Sequence, residues 1–196
     1  MSKEDARIGF AFCGSYCTYA SAMAALEAVA ARWSEVTPIV SEHSAETDTR
    51  FGEAHAWMRE MERITGKKPL TSITEVEPIG PKKLLDALII CPCTGNTLGK
   101  LAGGIADTSV TMAAKSHLRN GRPVVLAVST NDGLAGSAEN IGRLLARRDF
   151  YFVPCRQDDP VGKPRSLVAD FSLVPQTVAA ALEGRQVQPI LLAPRI

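Results

Sequence analysis

Residues 86–108 read DALIICPCTGNTLGKLAGGIADT. An apolar run (residues 86–91), a short polar loop and a helical pattern (residues 96–105) follow one another here. A strand with no polar alternation is buried on both faces, which is the mark of a parallel sheet covered by helices. Outward from this stretch the same unit recurs. Residues 7–13 (RIGFAFC) form a strand that ends at Gly14 and Ser15. A helix follows, with Tyr19, Met23, Leu26, Val29 and Trp33 at helical spacing. Residues 37–40 form a second strand. Residues 49–65 form a helix stopped by Gly66, with Phe51, Met58 and Met61 on one side. Residues 67–83 carry three prolines and read as mostly loop. After the central stretch come a helix at 108–118, separated from its predecessor near Gly103 and Gly104, and a strand at 123–128. A helix at 138–147, a strand through 149–154 and a last helix at 173–182 complete the pattern. Residues 188–196 are an apolar tail expected to pack on the body or on a neighbour. Alternating strands and helices predict a single α/β domain over residues 1–196, a three-layer αβα, Rossmann-like (flavodoxin-like) arrangement around a parallel sheet.

Bulk properties bound the function. At 45% hydrophobic and 22% charged, the 196-residue chain is an ordinary globular one. A formal charge of +1 provides no field to steer it to nucleic acid or anionic lipid. No run reaches the roughly 20 apolar residues that a membrane span needs, and the first residues do not read as a signal peptide. A cytosolic protein is expected. Five cysteines, Cys13, Cys17, Cys91, Cys93 and Cys155, then argue against a disulfide framework. Their spacing is not that of a zinc site and no histidine accompanies them, so no metal is expected. Cys17 and Cys93 lie where a helix N-terminus could activate a thiol.

In open α/β sheets ligands bind outside the carboxyl ends of the strands. Those ends carry Gly14 and Ser15, then Ser41, then the loop with Thr94, Asn96 and Thr97, then Ser129, Thr130 and Asn131. They are small, polar and uncharged, so backbone amides and hydroxyls would line one crevice suited to a phosphate. Gly14–Ser15 and Ser129–Thr130 are the expected phosphate positions. The charged segment around Arg156–Asp159 and Lys163–Arg165 reads either as a solvated loop or as a piece that closes over the crevice or meets a partner. His117 reads as a helix-end partner and Asp107 as an N-cap.

The segment CPCTGNTLGKLAGGIADT resembles the P-A-S-A-N-T motif, with its following helix, of flavin-dependent cysteine decarboxylases in the flavoprotein family. Pro92, Thr94, Asn96 and Thr97 hold matching positions, and Lys100, Ala102, Gly104, Ala106 and Asp107 continue the match. Asn131 sits where that family has the asparagine of its P-x-M-N-x-x-M loop, although the flanking proline and methionines are replaced. The family's catalytic histidine has no counterpart here; His43 and His55 lack the surrounding pattern. GFAFCGSYCT, AVSTNDGLAGSAENIG, FVPCRQDDPVGKPRSLVADF and QPIL extend the likeness to one branch, the B subunits of dipicolinate synthase. The resemblance implies FMN as cofactor, a nicotinamide-binding A subunit as partner, homo-oligomerisation, and a share in oxidising dihydrodipicolinate to dipicolinate in the mother cell of a sporulating bacterium. Asn131 and Cys93 are the catalytic candidates. A non-catalytic scaffold with a vestigial flavin site, and an independent flavin-dependent decarboxylase or prenyltransferase, remain open alternatives.

Overall fold

The computed structural model describes residues 4–193. Its spine is β1 (Glu4–Phe12), flanked in parallel by β2 (Trp33–Val40) and β3 (Ala87–Cys93). β4 (Val124–Thr130) lies parallel to β3, and β5 (Phe150–Phe152) runs parallel to residues 124–126 of β4. Strand order β2-β1-β3-β4-β5 reverses direction between β1 and β3, the topological switch point of a doubly wound sheet.

Burial on both faces explains the unbroken apolar runs. Ile8, Phe10, Phe12, Ile89, Cys91, Val125 and Ala127 point to one face. There they meet α1 (Tyr19–Arg32), Met61 of α3 (Ala54–Thr65) and α8 (Val174–Leu182). Ala11, Leu88, Ile90, Val124, Leu126 and Val128 point to the other. That layer is built by α4 (Ile73–Val76), α5 (Gly95–Gly103), α6 (Ser109–Leu118) and α7 (Ala138–Leu145). A short α2 (Glu42–Glu46) follows β2. Gly9 has no room for a side chain: a Cβ would lie 2.5 Å from Leu85.

Four expectations need correction. The sheet is not wholly parallel: β6 (Cys155–Asp159) and β7 (Lys163–Ala169) form an antiparallel hairpin, and β7 runs antiparallel to Ser129 and Thr130 of β4. The charged segment is therefore a pair of strands, solvated at its tip, and not a loop. Trp33 does not end the first helix but opens β2, fully buried. The helix expected from residue 49 starts at Ala54, which leaves Phe51 exposed under the Arg50 guanidinium instead of in the core. Finally, residues 67–83 contain α4, started by a capping box in which Ser72 accepts from the Glu75 amide and the Glu75 carboxylate accepts from the Ser72 amide. The tail joins the body through Cys155, whose amide donates to the Ile190 carbonyl and whose carbonyl accepts from Leu192. Its last three residues lie outside the described residues.

Candidate functional site

The carboxyl ends of β1, β3 and β4 are bound to one another before any ligand is considered. After β1 the chain turns at Ser15, which adopts a left-handed conformation (φ 65°). Its carbonyl is taken up by Thr18, through the amide (2.9 Å) and the hydroxyl (2.8 Å). The Ser15 hydroxyl is 2.7 Å from that of Ser129 at the end of β4. Between β1 and β3, the Cys13 thiol donates to the Pro92 carbonyl and accepts from the Thr97 hydroxyl, both at 3.1 Å. Between β3 and β4 the contact is closer. A Cβ on Gly95 would lie 2.5 Å from Ser137 Oγ, 2.7 Å from Asp132 Oδ1 and 2.8 Å from Thr130 Oγ1. Only a glycine lets these two loops approach so closely.

Above these joints lies a crevice of about 520 Å³, a size typical of small-molecule sites. Ser15, Thr94, Asn96, Ser129, Thr130 and Asn131 line it, so six of the residues expected from sequence come together. Thr94 caps α5 by accepting from the Thr97 amide at 3.2 Å. The first-turn amides of Gly95 and Asn96 lie ahead of the helix's own bonds, and both residues line the crevice. The neighbouring α6 shows the contrast. Its first amide, Ser109, donates to both oxygens of Glu42 (2.9 and 3.1 Å), so that helix end carries an anion from its own chain.

Other expected residues fall elsewhere. Gly14 sits behind the crevice, with a Cβ position 3.3 Å from Thr94 Cγ2. Ser41 is buried and donates to Ser44 at 2.9 Å, away from the lining. Thr97 is buried and turned inward to Cys13. Cys93 is fully buried among apolar side chains of the second core layer. Burial pushes its thiol well above the ordinary range, as it does for Cys91, and raises Cys13 too. Cys93 therefore lacks both the access and the acidity expected of a reactive thiol. Cys17, by contrast, is exposed on the lining. His117 is buried at the opposite edge of the sheet, with Nε2 3.1 Å from the Pro123 carbonyl, and Asp107 pairs with Lys100 while Thr108 caps α6. Neither His43 nor His55 reaches the lining.

The charged segment, read from sequence either as a solvated loop or as a piece closing over the crevice, supplies one whole wall as a hairpin that sequence reasoning did not foresee. Asp158, Lys163, Ser166, Leu167 and Val168 of the β6–β7 hairpin close the far side of the crevice. Ser166 Oγ donates to the Thr130 carbonyl at 3.2 Å and Leu134 N to the Arg165 carbonyl at 2.9 Å, which fixes the hairpin on β4 and its following loop. The available signal was two short extended runs around Asp159-Pro160-Val161-Gly162, a turn composition. Asp132, also missed, accepts from Thr130 Oγ1, which holds its carboxyl below the usual carboxylate range. Among the described residues no group of His, Cys, Asp and Glu is arranged to hold a metal, and no helix is long and apolar enough to cross a membrane.

Known proteins resemble this chain in sequence and fold. The flavoprotein family matches residues 1–150. The dipicolinate synthase B subunit of Bacillus subtilis (strain 168) is 44% identical over 191 residues, covering 97% of this chain and 96% of that protein. The crystal structure of the dipicolinate synthase B subunit from Bacillus halodurans C has a TM-score of 0.90 at 42% identity, covering 98% of this chain and 99% of that one. DmrB of Burkholderia xenovorans, solved with FMN and described as a cubic protein cage for redox transfer, has a TM-score of 0.60 at 18% identity, covering 77% and 89%, a likeness of fold alone. The chain thus belongs to the flavoprotein family, on the side of it occupied by the B subunits of dipicolinate synthase.

Proposed function

We propose that this chain is the B subunit of a dipicolinate synthase, works with a nicotinamide-binding A subunit to oxidise dihydrodipicolinate to dipicolinate, and holds FMN in the crevice at the carboxyl edge of its sheet. The observation that carries the FMN reading is the donor set. Six uncharged polar residues from three strand ends, and the first turn of α5, line one cavity of about 520 Å³. Such a set suits a phosphate held by hydrogen bonds and dipoles. Ser15, Ser129 and Thr130 would take the phosphate, with Thr18 bracing the Ser15 turn. Asn96 would offer its carboxamide to the polar edge of the flavin ring. A bound flavin would supply two-electron redox chemistry; this chain's residues bind it, orient it and exclude water. The likeness to a cage-forming relative supports a homo-oligomer, and the branch supports a place in the cytoplasm of a sporulating mother cell.

A second reading is a scaffold that stabilises the A subunit and binds no flavin. The Ser15–Ser129 hydroxyl contact favours it, since it occupies one of the two phosphate donors within the chain. Two measurements separate the readings. One is titration of the protein with FMN, recording the flavin band near 450 nm. The other is turnover of dihydrodipicolinate by the A subunit, by this chain and by the mixture. Flavin binding with turnover only in the mixture is expected. Robust turnover by this chain alone would contradict the subunit reading, and a colourless protein in the mixture would remove the flavin.

A further inference from the structure

The hairpin wall differs in chemistry from the rest of the crevice. Three charged side chains line the cavity: Asp132, Asp158 and Lys163. Asp132 is committed to the loop after β4, where Thr130 Oγ1 donates to it and its carbonyl takes the Ala135 and Ser137 amides. Asp159, beside Asp158, is committed to the hairpin turn: its Oδ1 accepts from Val161 N (3.1 Å) and Gly162 N (2.8 Å). A Cβ on Gly162 would sit 2.3 Å from the same carboxylate, so the turn needs that glycine. This rigid turn sets Lys163 at the first position of β7, and its ammonium meets Asp158 at 2.8 Å. Both partners are open to solvent, with side-chain exposures of 62% and 41%. An ion pair so exposed holds weakly, and its ammonium can exchange one carboxylate for another at little cost. On the same cavity lining, the carboxamides of Asn96 and Asn131 make no hydrogen bond to any described residue.

We infer that Lys163 is the anchor for one carboxylate of a small cyclic dicarboxylate in this crevice, that the ligand displaces Asp158 from the ammonium, and that Asn131 receives its other polar end. The inference rests on the reading of the crevice as the site of a dipicolinate synthase subunit, and assigns the substrate side of that site to the hairpin. It makes Asp158 a competitor: an internal carboxylate that keeps the ammonium occupied until a ligand arrives. A lysine kept only for the hairpin's stability would not discriminate one ring acid from another.

The test uses the full chain, with and without FMN, and pyridine-2,6-dicarboxylate as probe against pyridine-2-carboxylate. Wild type is expected to bind the dicarboxylate at least tenfold more tightly than the monocarboxylate. Lys163→Met is expected to remove that preference, and Asp158→Asn to strengthen dicarboxylate binding severalfold because the competitor is gone. FMN affinity should stay unchanged in both variants. Circular dichroism and melting temperature establish that both variants fold. Unchanged preference in Lys163→Met, or weaker binding in Asp158→Asn, overturns the inference. So does absence of dicarboxylate binding by wild type under every condition. Loss of FMN affinity in Lys163→Met overturns it differently, by moving the lysine to the cofactor's phosphate. If wild type binds the dicarboxylate through Lys163 but never binds FMN, the flavin reading fails and the anchor stands.

Discussion

The two edges of this sheet handle polar groups in opposite ways. At the amino edge nearly every one is closed upon another. The Arg7 guanidinium forks onto Asp86 with two bonds of 3.0 Å, the Arg7 amide adds a third at 2.9 Å, and Arg122 reaches the same carboxylate at 2.8 Å. Arg122 also caps the Leu85 carbonyl, Asn120 Nδ2 donates to the Gly80 carbonyl, and His117 meets the Pro123 carbonyl. At the carboxyl edge the hydroxyls of Ser15, Ser129, Thr94 and Thr130 are engaged locally, but the carboxamides of Asn96 and Asn131 line a cavity without a hydrogen bond to any described residue. Paired groups secure a fold; groups held in place yet unpaired await a ligand. The difference teaches where to look for stability and where for binding, and it can be broken by experiment.

The largest effect is expected at the amino edge, from pH. Burial lowers the His117 pKa from 6.5 to about 4, so the folded protein keeps this ring neutral while the unfolded chain takes up a proton. Its contribution is whole above pH 6.5 and is lost as pH falls toward 4, about 3 kcal/mol in all. Between pH 6.5 and 4, urea unfolding of His117→Gln should show a loss of stability smaller by about this amount than that of the wild type. An unaltered loss would remove His117 from the account. Next comes Gly95→Ala, at the carboxyl edge. Forcing a Cβ against Ser137, Asp132 and Thr130 is expected to cost about 2 kcal/mol of stability and to weaken FMN binding as well. A variant with wild-type melting and flavin affinity would show that the two loops part freely. Asp86→Asn should cost roughly 1–2 kcal/mol, because the ion pairs it disturbs are half-open to water, and should leave flavin titrations unchanged. Any loss of flavin affinity there would mean that the edges are coupled. The smallest effect is Asn96→Ala: a roughly fivefold weaker flavin, about the worth of one hydrogen bond, with the melting temperature held. A drop in melting temperature at constant affinity would assign Asn96 to the fold.

Much of this was legible in the sequence, for physical reasons. Strands buried on both faces announce themselves as apolar runs, and residues 7–13, 86–91 and 123–128 did so. Small polar loops at their ends marked the crevice. What escaped depended on direction and context. β3 has an irregularity between Ile90 and Cys93, so a simple alternation does not tell which way Cys93 points. Ser41 and Thr97 have the right chemistry at the right strand ends, but their hydroxyls are spent on Ser44 and Cys13. The segment's place at the crevice was among the readings of the sequence, but its strand pairing was not, because the hairpin's tip is solvated and charged and Pro164 disfavours a strand by composition although β7 runs through it. Trp33 fits a helical spacing and yet begins a strand, since its position in the core is set by tertiary packing that no local pattern records.

The stitching of the tail to β6 makes the two termini unequal as handles. The segment around Ile190 and Leu192 clasps Cys155, the first residue of the hairpin that walls the crevice. β1, at the other terminus, enters the sheet at its amino edge, a full strand's length away from Ser15. A fluorophore, affinity matrix or sensor chip coupled through the C-terminal end will therefore tug on the wall whose ligand preference is being measured. The same attachment through the N-terminal end leaves that wall at rest, and binding assays on this protein should be tethered there.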